Sequence, residues 1–600
     1  MKRIKLLVNI IRKRLSLLGI ALLLLFISVA IRTLEPKVIQ VIFDYLLQKN
    51  LTTSDITLNW IIQFIQIFRS YSLLYQILIL AGLYVLMAAL RSVTILSSRA
   101  ISYNASEKSV QEFRVRLFEH IQKIPMSAFN ILNKGELIQR STGDMDTIKN
   151  FISNHTIELI RLLTLFFFSA YMLFQINWQY ALCCVSLTPL IFISTYLFFN
   201  YEGKVWQEHE DEADKLTNIA QENLNGIRTV KVYNQMASEM EKFNKQNEVK
   251  LKVGLKHMRL HTIFWPVNDM LLYVQTAIFI LLGGIYVMNG EMSLGALVAA
   301  YTYNSMLGFP IKQAGRVLSQ MSMAFVAIDR IQDILAQQVE SKDGTLAKNL
   351  CGDIRFENVS FQYDATSKAV LSNISFEMKG GEKLAIMGKS ASGKTSLVKL
   401  LTRLYQLSDG NITVDSKNIA RYELSSFRNR IGYVMQQSTL FSMDLGENLA
   451  YAKSEASSEE KEQVLELAGF ENYHTILPKG MHTQIGEKGV SLSGGQKQRL
   501  SLARTLIKDH DILILDDITS ALDKNTEKKV LENVMRQAVD KTVWIITHRL
   551  STLKYVDKVL VLNEQGKLQS FGEPELVRKT DSYLKELEEI EKNQIADMTI

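Results

Sequence analysis

The sequence predicts a membrane-embedded all-α domain of six transmembrane helices with long cytoplasmic helical extensions, fused to a soluble α/β domain. Three observations predict it. Six apolar runs fill the first half. The basic residues between those runs are distributed asymmetrically. The second half alternates short apolar strands with amphipathic helices. A chain of 600 residues is too long for one core, so at least two domains are expected. Apolar residues make up 47% and the mean hydropathy is +0.05, high for a soluble protein and consistent with an average over a membrane part and a soluble part.

A membrane-crossing helix needs about 20 apolar residues. The runs Leu15–Ile31, Leu73–Leu90, Leu159–Ile176, Tyr180–Phe199, Leu271–Met288 and Leu294–Ile311 qualify. The first follows a basic N-terminus but is not followed by a small-residue cleavage site, so it reads as a retained helix and not as a leader. Lys2, Arg3, Lys5, Arg12, Lys13 and Arg14 precede it, and the stretches 99–149 and 204–259 are rich in Lys and Arg. The short turns INWQ (176–179) and NGEMS (289–293) contain neither residue. Basic residues stay on the cytoplasmic side, which places both termini and both long connections there. The expected location is the cytoplasmic (inner) membrane, crossed several times. The net charge of +7 is explained by that basic face, and no nucleic-acid partner is expected.

The two long connections are too polar for lipid. In EFRVRLFEHIQKIP, Phe113, Leu117 and Ile121 fall on one helical face, so helices are expected to continue into the cytoplasm. Asp269, beside Trp265 and Pro266, is an acid near a membrane helix and either faces a wet vestibule or lines a cavity. Phe166, Phe167, Phe168, Tyr301, Tyr303, Met306, Met321 and Met323 could line an adaptable apolar cavity, although packing roles suit each of them singly. The three cysteines, Cys183, Cys184 and Cys351, show no disulfide or metal spacing. The domain limits read as 1–335 for the membrane part, 336–353 for a polar linker, 354–585 for the α/β domain and 586–600 for a charged tail.

GKSASGKTS, Gly388–Ser396, fits G-x-x-x-x-G-K-[ST] between a strand, KLAIM, and a helix, SLVKLLTRLY. Such a loop wraps phosphate oxygens with backbone N–H groups at a helix N-terminus. Gly388, Ser390, Gly393, Lys394, Thr395 and Ser396 are therefore candidate ATP-binding residues. Lys394 would reach the terminal phosphates and the Thr395 hydroxyl would bind Mg2+. DILILD, 511–516, reads as a buried strand ending in a metal-binding carboxylate, Asp516.

SLSGGQKQRLSLA, 491–503, brings a resemblance into view. Together with the P-loop and the six spans, it makes the chain resemble the ATP-binding cassette (ABC) exporters of the half-transporter type, over nearly its whole length. The resemblance implies a P-loop nucleotide-binding domain that uses ATP and Mg2+. It implies that Ser493, Gly494, Gly495 and Gln496 close over ATP held by a second half-transporter. It gives Tyr363 as the ring that stacks on adenine. It gives Gln436 in YVMQQ as a Mg2+ ligand and sensor alongside Thr395 and Asp516, and His548 in ITHRL as the γ-phosphate switch. Glu487 and Asp523 would couple the site to the membrane arms and to the partner. GELIQRSTGDMD (135–146) and ENLNGIRTVKVY (222–233) resemble the cytoplasmic loops that dock on the cassettes.

One position departs from the pattern. The family usually has Glu after the strand-ending Asp, and Asp517 stands there. Its carboxylate is one methylene shorter, and a displacement near 1 Å can slow chemistry on the order of 100-fold. ATP would bind but turn over slowly, so a heterodimer with a more active partner is favoured. A homodimeric exporter or lipid flippase in which Asp517 works is the alternative, and an ATP-gated channel or regulatory subunit is a further class. The substrate is expected to be a small amphipathic or apolar molecule.

Overall fold

A computed structural model describes residues 2–46, 61, 63–64, 67–68, 70–130, 132, 134–186, 188–341, 343–364, 367–486, 492–518 and 522–597. Glu487 lies outside the described residues, as does Leu187 within the expected fourth span. The chain divides into two compact units, Met1–Gln122 with Lys134–Ala336, and Lys123–Asn133 with Gln337–Ile600.

The first unit is helical. Its main helices are Leu15–Leu46, Leu73–Lys123, Thr156–Ile176, Trp178–Val185, Thr188–Asn225, Met236–Met288 and Leu294–Leu335. Among the described residues, four continuous helical stretches are long and apolar enough to cross a membrane: Arg3–Asp44, Leu73–Lys123, Lys134–Ile176 and Met236–Met288. The other two expected spans are not among these four. The helices Trp178–Val185 and Thr188–Asn225 cover the described part of Tyr180–Phe199, and Leu187 between them lies outside the described residues. Leu294–Ile311 carries polar side chains that turn inward: Gln275 Nε2 donates to Asn304 Oδ1 at 3.1 Å, and Tyr303 Oη donates to Thr33 O at 2.6 Å.

Tyr303 is fully buried in a cluster with Leu173, Tyr180, Phe279 and Leu307, so it packs helices together and does not line a cavity. Phe167 and Tyr301 are exposed, while Phe166 and Met306 pack against that cluster.

The long connections are helical, as the periodicity predicts. Phe113, Leu117 and Ile121 are all buried. The Leu73–Lys123 helix has 51 residues and contains no proline. At 1.5 Å per residue it runs about 75 Å, more than twice the roughly 30 Å hydrocarbon layer. Met236–Met288, with 53 residues, is equally long.

The second unit is α/β. Strands β1 (Ile354–Phe361), β2 (Leu371–Met378), β4 (Asp409–Val414) and β5 (Lys417–Asn418) form an antiparallel sheet in the order β2-β1-β4-β5. Strands β3 (Lys383–Gly388), β6 (Ile431–Val434), β7 (Ile512–Asp516), β8 (Thr542–Ile546), β9 (Lys558–Leu562) and β10 (Leu568–Gly572) form the second sheet, ordered β10-β9-β3-β8-β7-β6. Its β9, β3, β8, β7 and β6 pair in parallel. Every residue of β7 and β8 is buried, the pattern of a sheet covered on both faces. The parallel strands end at one edge, where an open α/β sheet binds its ligand.

The polar stretch after the membrane half is not a loose tether. Thr345 N donates to Arg421 O and Glu423 N donates to Thr345 O, each at 2.9 Å. The charged C-terminal stretch belongs to a helix, Ser582–Asp597.

Candidate functional site

The loop after β3 is shaped by two glycines. Gly388 has φ of +142°, and a Cβ there would stand 2.4 Å from Leu562 O. Gly393 has φ of +94° and caps the Lys394–Leu401 helix; a Cβ there would stand 2.7 Å from Leu371 Cδ2. Side chains are excluded at both points, so the backbone can turn tightly there. Lys394 is buried, and its Nζ donates to Gly388 O and Lys389 O, both at 2.7 Å. Burial lowers its pKa to about 8, against the pull of the Asp516 and Asp517 carboxylates.

Asp516 ends β7 and is 1% exposed. Its Oδ2 accepts from the Thr395 hydroxyl and from the Tyr433 hydroxyl, each at 3.2 Å. Burial raises the pKa of Asp516, and these two hydroxyl donors oppose that rise. Thr395 and Asp516 thus present adjacent hard oxygen donors, the type a divalent cation such as Mg2+ prefers.

Asp517 follows with φ of +51°. This left-handed conformation is several-fold commoner for Asp than for longer side chains. Asp517 N donates to Ile546 O at 3.0 Å. Its Oδ2 accepts from Gln436 Nε2 at 3.4 Å, and its carbonyl accepts from Gln498 Nε2 at 3.4 Å. His548 stands at the end of β8, exposed, with Nδ1 3.3 Å from the Tyr583 hydroxyl. Partial desolvation, and then the Lys394 charge, lower its pKa and favour the neutral imidazole. The structure therefore gathers Gly388, Gly393, Lys394, Thr395, Gln436, Asp516, Asp517 and His548 at one sheet edge.

Ser390 adjoins that group, lining a cleft with Lys389, His548, Glu564, Tyr583 and Glu586. Other expected residues make contacts of their own. Ser396 Oγ lies 2.9 Å from the Tyr363 hydroxyl. Tyr363 packs edge-on against Tyr405 at 5.1 Å, with Lys399 Nζ 5.4 Å from its ring centre. Ser493, Gly494, Gly495 and Gln496 begin the Gly494–Leu506 helix in a capping box. Ser493 N donates to Gln496 Oε1 at 2.8 Å, and Gln496 N donates to Ser493 Oγ at 3.4 Å. Among the described residues, no hydrogen bond joins this box to the 388–396 loop. Asp523 caps the Lys524–Gln537 helix by accepting from Thr526 N at 3.0 Å, which holds its carboxyl below the usual range.

Several contributors carry no motif. Tyr433 opens the YVMQQ stretch, three residues before Gln436, and stands on strand β6, but the resemblance assigns it no role. Tyr583, on the C-terminal helix, also donates to Gly388 O at 3.2 Å. Lys389 pairs with Glu564 at 3.1 Å and Glu586 at 3.8 Å, which raises its pKa. The segment grouped with this unit from the first half is Lys123–Asn133, one turn before the stretch 135–146 expected to dock. Within the unit, Tyr405 donates to Asn130 Oδ1 at 3.2 Å.

Comparison with known proteins gives two matched regions. Residues 18–311 match the ABC transporter transmembrane region, and residues 371–520 match the ABC transporter domain. An uncharacterized ABC transporter ATP-binding protein of Bacillus subtilis is 32% identical over 494 residues, 81% of this chain and 84% of that protein. An ATP-dependent lipid A-core flippase of Desulfotalea psychrophila is 33% identical over 478 residues, covering 79% and 82%. A putative multidrug export ATP-binding/permease protein of Bacillus subtilis is 30% identical, covering 80% and 83%. The structure of a bacterial Atm1-family ABC exporter with ATP bound shares the fold, with a TM-score of 0.79 over 97% of this chain and 98% of that one at 23% identity.

Proposed function

The chain belongs to the ABC transporter family, and from that premise we propose that it is the slow-site half of a heterodimeric exporter. It is a multi-pass membrane protein with an ATP-binding ATPase domain, and it couples ATP to export. The observation that carries the finer reading is the short Asp517 carboxylate beside a complete phosphate loop. Gly388–Ser396, with Lys394, would wrap the phosphates from this chain's side, and Asp516 stands beside them. Thr395, Asp516 and Gln436 would hold Mg2+, which shields phosphate charge when bound. Asp517 would orient water from about 1 Å too far back, a loss on the order of 100-fold. His548, held neutral, can donate a ring N–H toward a phosphate oxygen when its proton stands on Nε2 and Nδ1 no longer donates to Tyr583.

The capping box supports the second half of this reading. It fixes the Gly494 and Gly495 backbone at a helix N-terminus, so their N–H groups can meet phosphate held by another chain. Leu224, Val232 and Tyr233, around the Ile227–Val232 helix, are more than two-thirds exposed, which supports a partner surface on that arm. The basic residues of the arms support a cytoplasmic position for them and for both termini.

The substrate reading is an amphipathic molecule bearing an acidic group. Arg32, Arg91 and Arg161 line one small cavity in the membrane unit. Glu35 engages Arg91 at 3.2 Å and Glu158 engages Arg161 at 2.5 Å, two negative charges against three positive. A relative named as a lipid A-core flippase is consistent with such a substrate.

The test is the ATPase rate of the purified chain alone and with candidate partner half-transporters, each with Asp517→Asn. The heterodimer reading expects slow turnover alone and a stimulated pair whose rate barely changes in the variant. Fast turnover by the single chain that disappears in Asp517→Asn would establish the homodimer instead. Inside-out vesicles then separate ATP-driven accumulation of an acidic amphiphile from passive flux.

A further inference from the structure

Away from the nucleotide site, the helices Thr188–Asn225 and Met236–Met288 bring Glu202, His257 and His261 together. We propose that these three residues form a binding site for a borderline divalent transition metal of the Zn2+ type. Their donor atoms all lie within 4.8 Å of one another. Glu202 Oε1 is 2.9 Å from His257 Nε2 and 3.6 Å from His261 Nε2. Ligands on a tetrahedral Zn2+ at 2.0–2.1 Å stand about 3.3 Å apart, so these separations bracket the required one.

The helices supply the pattern. His257 and His261 are four residues apart and share one face of a single helix. Glu202 faces them from the neighbouring helix and supplies the anionic ligand. The three side chains are 14%, 19% and 28% exposed, open enough for ion entry yet held by their surroundings. The Trp206 ring lies 5.2 Å from His257, and Phe198 packs edge-on against His261 at 5.3 Å. Two imidazoles and one carboxylate select Zn2+, Co2+ or Ni2+ over the hard ions Mg2+ and Ca2+. Three protein ligands leave the fourth position for solvent. His209 stacks on Trp206 at 5.7 Å, but its nitrogens are outside the ligand group.

One contact works against the ion. Trp265 Nε1 donates to His261 Nδ1 at 3.2 Å, which keeps the ring proton on Nε2. Metal uptake at Nε2 requires that proton to leave and Nδ1 to become the protonated nitrogen, so Trp265 must turn aside. The contact also makes a rival reading concrete, a metal-free hydrogen-bonded latch between the two helices.

The experiment uses the tag-free, full-length protein in detergent, stripped with chelator and without ATP. Zn2+ titration is followed by calorimetry, and Co2+ titration by its visible absorption. We expect about one ion per chain, a tetrahedral Co2+ spectrum, and no competition from millimolar Mg2+. His257→Asn and Glu202→Gln should each weaken Zn2+ on the order of 100-fold or more. Trp265→Phe, which removes the competing donor, should tighten it a few-fold, and His209→Ala should leave it unchanged. If a ligand variant fails to purify, the thermal midpoint of the wild type, with and without Zn2+, still decides. A rise with Zn2+ that Mg2+ does not reproduce supports the site. No Zn2+ uptake, or uptake unchanged in His257→Asn, would establish the latch.

Discussion

Two neighbouring aspartates at the end of β7 sit in unlike surroundings. Asp516 is almost fully buried and takes two hydroxyl donors on one oxygen. Asp517 turns out of the strand in a left-handed conformation, and its carboxylate meets Gln436 at 3.4 Å. The first belongs to an interlocked group with Thr395, Tyr433 and Lys394. The second belongs to a looser edge with Gln436 and His548. On the proposed reading the first group grips phosphate and the second serves cleavage, so one can weaken without the other.

The sharpest way to break that comparison is to strike the gripping side. Asp516→Asn or Lys394→Met should lower ATP affinity on the order of 100-fold or more, read with a fluorescent ATP analogue. Retained affinity would mean that the loop backbone alone carries binding. Asp517→Glu should leave that affinity unchanged and raise single-chain turnover by roughly ten- to 100-fold. The gain will fall short of the upper figure because Glu tolerates the left-handed backbone less well than Asp. A steady-state ATPase assay measures it.

A pH series sharpens the contrast further. The Lys394 pKa is depressed to about 8, so in the nucleotide-free protein its charge is lost as pH rises through that value. ATP affinity should therefore fall by up to about tenfold per unit above pH 8, with proton uptake on binding visible by calorimetry in buffers of different ionisation enthalpy. The same depression makes folding stability rise with pH between about 8 and the ordinary lysine value of 10.5, since the unfolded chain binds more protons there. The smallest effect belongs to Tyr583→Phe, which removes one bond to the Gly388 carbonyl and one to His548. A loss of about 1 kcal/mol, read from the thermal midpoint, is expected.

The gripping side was legible because each of its parts is local. A phosphate loop needs glycine at two fixed backbone positions and a lysine one residue after the second. A buried strand ending in Asp is four apolar residues and one acid. Tyr433 and Tyr583 were not legible, since their partners Asp516 and Gly388 lie 83 and 195 positions away. In the membrane half, six apolar runs could be counted. Which of their polar residues turn inward, as Asn304 and Gln275 do, depends on neighbouring helices. The Glu202–His257–His261 group combines one local signal, the i and i+4 histidines, with a partner 55 residues away.

The Leu73–Lys123 helix has a mechanical consequence. A continuous α-helix about 75 Å long with no proline can act as a lever, because sharp bends arise almost always at proline, Gly/Ser pairs, bulges or inserted groups. A tilt of about 5° at the lipid end displaces the far end by roughly 6 Å, more than one helical turn. Inserting proline near its middle would blunt that amplification without touching either end.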